Sequence, residues 1–97
     1  MNKQELLGQL KKALAEVPEL RKQNYSNGQL TQWRDGVLHA LQESYGLDSS
    51  QYLRFEKAPG KSFIVNTELG KQQDYEFRID CYESALKTLI DRAQMSQ

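Results

Sequence analysis

The sequence predicts an all-α protein: a small four-helix bundle of three long helices and one short one, with an irregular or extended loop before the last helix. Three observations predict it. Apolar residues recur at steps of three and four in three separate stretches, the spacing of one helix face. Breakers separate those stretches, at Pro18, at Tyr25-Ser26-Asn27-Gly28, at Gly46 and at Ala58-Pro59-Gly60. The one run that prefers extended backbone, Phe63-Ile64-Val65, has no second strand to pair with.

The first helix is expected over about residues 2–16. Leu6, Leu7, Leu10, Ala13, Leu14 and Val17 share one arc, with Glu5, Lys11, Lys12 and Glu16 outside it. Asn2 and Glu5 have the spacing of a capping box. Pro18 lacks a backbone donor and clashes with the preceding turn, so the helix ends or kinks there. Leu20 continues the same arc, which favours a kink or a restart with Pro18 in the new first turn. Arg21 and Lys22 then suit a helix end, where cations meet the negative pole.

Residues 30–55 read as the stretch around which the rest is organised. Leu30, Trp33, Val37, Leu41 and Tyr45 form the stripe of a long helix that carries the single tryptophan. Leu38 and Ala40 widen it, while Asp35, His39, Gln42 and Glu43 lie opposite. Arg34 projects into the middle of the apolar arc. Ser26 and Gln29 have capping-box spacing, and Thr31 offers a later start. Gly46 is expected to stop the helix as a left-handed cap, with Leu47 closing the accompanying apolar contact. Asp48 and Gln51 repeat the capping spacing before a short helix at about residues 49–56, which offers Tyr52, Leu53 and Phe55.

The last helix is expected over about residues 72–93. Tyr75, Ile79, Tyr82, Leu86, Leu89 and Ala93 alternate steps of four and three. Glu76, Asp80, Glu83, Asp91 and Lys87 cover an outer face that is acidic by three charges. Phe77 and Cys81 fall beside that face, off the stripe. The expected core is Trp33, Val37, Leu41, Tyr45, Tyr52, Phe55, Ile79, Tyr82, Leu86 and Leu89.

A chain of 97 residues is one domain's worth, residues 1–97, and buries roughly 65% of its unfolded surface. Thirteen basic and thirteen acidic side chains cancel, whereas a nucleic-acid binder shows a basic excess or face. Residues 1–24 hold five basic and three acidic groups, too small a surplus for strong phosphate binding. A nucleic-acid-binding regulator using Lys3, Lys11, Lys12, Arg21 and Lys22 is therefore the alternative reading, behind a protein-interaction module. Cys81 is the only cysteine and cannot form an internal disulfide, which fits a reducing, cytoplasmic setting. No apolar run approaches the ~18 residues of a membrane span, and the N-terminus lacks the apolar core of a signal peptide.

Chemistry-bearing residues are few. His39 is the only histidine, so a two-histidine metal site is excluded, and its place opposite the apolar arc suits a spectator better than a base. Cys81 has no cationic residue at i±4 and reads as a quiet thiol. Asp80 and Glu83 read as a solvated face pointing to water, not as an acid/base pair. Gly60-Lys61 and Gly70-Lys71 lack the upstream glycine of a phosphate-binding loop. No catalytic residue, cofactor or metal is expected, and the chain does not read as an enzyme. Arg34 either snorkels to solvent or forms an inward ion pair that fixes helix register. Trp33 fits core packing better than a ligand platform.

The candidate interaction patch is Phe63, Ile64, Phe77 and Cys81. In extended backbone Phe63 and Val65 face one side and Ile64 the other; the simpler reading buries Phe63 and Val65 against the bundle and leaves Ile64 exposed, while in the patch reading exposed backbone there could accept a partner's strand. A protein partner or a second copy is the expected occupant.

The order Trp33, Leu41, Tyr45-Gly46, Ser49, Tyr52, Phe55, followed by Ala85, Leu86, Leu89 and Ile90, resembles a small helical domain of bacterial defence-type proteins. That domain precedes nucleotide-binding or Toll/interleukin-receptor-like effector domains and occurs in abortive-infection-like proteins. The family pattern is Trp, a leucine two turns on, Phe-Gly, then Ser, Tyr and Phe at short spacing; this chain has Tyr45 where phenylalanine is usual. The matching positions are packing residues. The family's catalysis belongs to a different, downstream domain, so the resemblance transfers no catalytic residue. It implies an accessory, interaction or regulatory module.

Overall fold

The computed structural model describes residues 2–23, 28–60 and 67–95. Every regular element among them is a helix: α1 Lys3–Ala15, α2 Val17–Arg21, α3 Gln29–Tyr45, α4 Ser50–Glu56 and α5 Glu68–Met95. The all-α expectation holds. α1 and α2 are one expected helix broken once, with Pro18 in the first turn of α2. At the break, the Glu16 N–H donates to both Lys12 O and Ala13 O at 3.1 Å, a tightened last turn.

The helix starts follow side-chain capping. Asn2 Oδ1 accepts from the Glu5 N–H at 2.8 Å, and Asn2 Nδ2 donates to Glu5 Oε1 at 3.3 Å. α4 is capped by Ser49, not by Asp48 as its spacing suggests. Ser49 Oγ accepts from the Tyr52 N–H at 3.1 Å and donates to Gly46 O at 2.8 Å, joining the cap to the end of α3.

α5 begins one turn earlier than its stripe implies, because Thr67 Oγ1 accepts from the Gly70 N–H at 3.0 Å. A glycine inside the first turn hides that start, since glycine reads as a break.

Gly46 ends α3, its N–H donating to Gln42 O at 2.9 Å. It is not the left-handed cap expected: at φ 95°, ψ 161° the chain leaves extended instead of curling back. Leu47 is accordingly 53% exposed.

α5 is the spine. Its 28 residues span ~42 Å, close to the 46 Å long axis of the molecule. α1, α2 and α4 pack on it, and α3 packs on α1 and α4. The organising element is therefore α5 and not residues 30–55.

Trp33, Val37, Leu41, Phe55, Ile79, Tyr82, Leu86 and Leu89 are buried, together with Leu6, Leu10, Val17 and Leu20 from the first two helices. Tyr52 is half-buried against this core. Tyr45 departs from the expected core at 38% exposed. It is the last residue of α3, where the stripe outruns the elements that cover it.

Trp33, Phe55 and Tyr82 make an aromatic cluster with centroids 4.9–6.1 Å apart, within the favourable range for tilted and edge-on rings. Two side-chain donors reach the helix ends. Trp33 Nε1 donates to Ala13 O at 3.0 Å, and the Tyr75 hydroxyl donates to Leu20 O at 2.7 Å. Both carbonyls lie in last turns and already accept from a backbone N–H, Glu16 to Ala13 O and Gln23 to Leu20 O at 3.1 Å each, so the side chains add a second donor.

Candidate interaction surface

α5 is buried along one stripe only, so its other faces are presented on a stiff rod. Phe77 is 43% exposed, and Cys81 lies one turn on, half-buried. Ser84 and Thr88 continue the line, facing Arg54 of α4 and Ala58 just after it across a shallow groove that includes Cys81. Of the four expected patch residues, the structure places Phe77 and Cys81 on one face of α5. Phe63 and Ile64 lie outside the described residues. Burial, and after it the neighbouring Asp80 carboxylate, pushes the Cys81 thiol above its ordinary pKa. That direction disfavours the thiolate a nucleophile needs.

The acidic face beside the patch is less solvated than its sequence suggests. Arg21, the last residue of α2, reaches Asp80 Oδ1 at 2.6 Å and Glu83 Oε1 at 3.2 Å. α2 follows the break at Pro18, and its end lies against α5. The two carboxylates that looked free to point to water instead clamp α2 to α5. His39 stands on the exposed side of α3, its Nε2 2.9 Å from Glu43 Oε1.

A second feature, a cleft of about 460 Å³, opens where the start of α3, the end of α4 and the first half of α5 meet. Three cations, Arg34, Lys71 and Arg78, line it with two carboxylates, Glu56 and Asp74. Arg78 Nε donates to Asp74 Oδ2 at 2.8 Å. Among the described residues, Arg34 makes no inward ion pair. Its Nη1 lies 3.5 Å from the neighbouring Asp35 carboxylate, and its Nε is buried with no hydrogen-bond partner. Arg34 stood out in the sequence, and Lys71 only as half of a Gly-Lys pair set aside as a phosphate loop; Asp74 and Arg78 did not. The i, i+4 spacing of Asp74 and Arg78 was the available signal, but nothing local says that two helices bring Arg34 to it.

Among the described residues, no group of three or more His, Cys, Asp or Glu side chains could hold a metal ion, and no helix is long and apolar enough to cross a membrane. Comparison with protein-family models, with curated proteins and with solved structures finds no match.

Proposed function

We propose that the chain is a non-enzymatic helical interaction or oligomerisation module, accessory or regulatory within a bacterial defence-type system and working in the cytoplasm. The observation that carries the reading is Phe77: a large aromatic side chain left 43% exposed on the longest and stiffest element. Aromatic residues are enriched at protein interfaces, where they bury much area at little entropic cost. Cys81, Ser84 and Thr88 extend the face with small, uncharged groups that permit close approach. The assignment to a defence-type system rests on the resemblance carried by Trp33, Leu41, Gly46, Ser49, Tyr52 and Phe55.

The nucleic-acid alternative loses support from the ion pairs. Arg21 is committed to Asp80 and Glu83, and Lys22 lies 3.5 Å from Glu19. The small basic surplus of residues 1–24 is thereby reduced further.

The single cysteine makes the face directly testable. A short bis-maleimide reagent should join two copies at Cys81, giving a product of twice the chain mass, and Phe77→Ser should abolish that product without lowering Tm. Absence of the dimer in the unaltered protein, or an equal yield from Phe77→Ser, would contradict association through this face.

A further inference from the structure

We infer that the cleft between α3, α4 and α5 is a binding site for a small ligand bearing an oxyanion, a carboxylate or a phosphate, gripped by Arg34. This inference does not depend on the interaction face, which lies elsewhere on α5. A buried donor without a partner costs the free energy of its lost hydration, so such groups call for an explanation. Arg34 Nε is such a donor, and it belongs to a side chain lining the cleft of about 460 Å³.

The Asp35 contact at 3.5 Å is too long to be a strong hydrogen bond and engages Nη1, not Nε. Asp74, one of the two carboxylates in the cleft lining, already accepts from Arg78 at 2.8 Å. Among the described residues that line it, the cleft has three cationic and two anionic side chains, and the Arg34 guanidinium is incompletely engaged.

A guanidinium offers parallel N–H donors that match the two oxygens of a carboxylate or phosphate. Nε with one Nη is one such pair. The volume of about 460 Å³ falls in the range of small-molecule sites.

The test is titration of the isotope-labelled full chain, followed by amide NMR shifts, with inorganic phosphate, with succinate, and with chloride as the ionic-strength control. Saturable shifts should centre on Thr31, Gly60 and Lys71, with no counterpart in chloride. Arg34→Gln should weaken binding by about tenfold or more, the loss of a charge-assisted hydrogen bond. Arg34→Lys keeps the charge but not the fork and should fall between the two. Saturation by phosphate alone identifies a phosphate ligand, by succinate alone a carboxylate ligand, and by both an oxyanion site of either kind. Shifts that follow ionic strength only, or affinities unchanged in Arg34→Gln and Arg34→Lys, would overturn the inference.

Discussion

Trp33 joins three elements through one side chain. Its ring packs on Phe55 of α4 and Tyr82 of α5, and its Nε1 donates to the last turn of α1. Trp33→Ala should therefore cost about 3–5 kcal/mol, the range for a large core aromatic, measured by urea denaturation. A loss below about 1 kcal/mol would place the ring outside the core.

Tyr75 is the second such residue. Burial raises its hydroxyl above the ordinary tyrosine pKa of about 10. Above that pH the folded protein keeps a proton that the unfolded chain releases, so this contribution to stability is present below pH ~10 and is lost as pH rises through the folded-state value. Tyr75→Phe should flatten the fall in stability above pH ~10. An identical alkaline profile in the two proteins would show that the hydroxyl is not withheld from water.

At the scale of elements, the helices of this fold were legible where a stripe and a side-chain cap coincide. Asn2 with Glu5 marks the start of α1, and Pro18 marks its break, because both signals act within one turn. Thr67 marks the start of α5 equally well but is followed by Gly70, and that glycine masks it. Tyr45 and Gly46 show the converse: the periodicity continues to the end of α3, but burial depends on what lies opposite, which no local pattern states.

The sequence could not foretell that Trp33 and Tyr75 donate to the ends of α1 and α2, since those bonds span 20 and 55 residues. The candidate patch was half-legible for the same reason. Phe77 and Cys81 share a face by helix spacing alone, whereas the cleft around Arg34 exists only once α3 and α5 are placed.

Gly36 gives an element-scale prediction. It sits inside α3, exposed, with nothing within 4 Å of where a Cβ would stand. Alanine there should stabilise the helix by about 0.5–1 kcal/mol. Thermal melting should then shift upward at about 4–8 °C per kcal/mol. A lower Tm in Gly36→Ala would mean that the glycine is needed for something other than helix geometry.

The molecule as a whole is one long rod, α5, with the shorter helices packed along part of its surface. Residues that cover the stripe Tyr75, Ile79, Tyr82, Leu86 and Leu89 come from every other element. The Arg21 clamp on Asp80 and Glu83 is partly exposed, and such pairs contribute at most about 1 kcal/mol each. The apolar stripe therefore holds the bundle together, and the ion pairs set where α2 lies along it. Beside that stripe, Phe77 of α5 stays 43% exposed.

Sedimentation equilibrium of the unaltered chain and of Phe77→Ser, over a wide range of concentration, tests this account most directly. The unaltered protein should rise in weight-average mass toward twice the chain mass as concentration increases, and Phe77→Ser should remain monomeric with the same Tm. A monomer at every concentration in the unaltered protein, or the same association in both, would contradict self-association through α5.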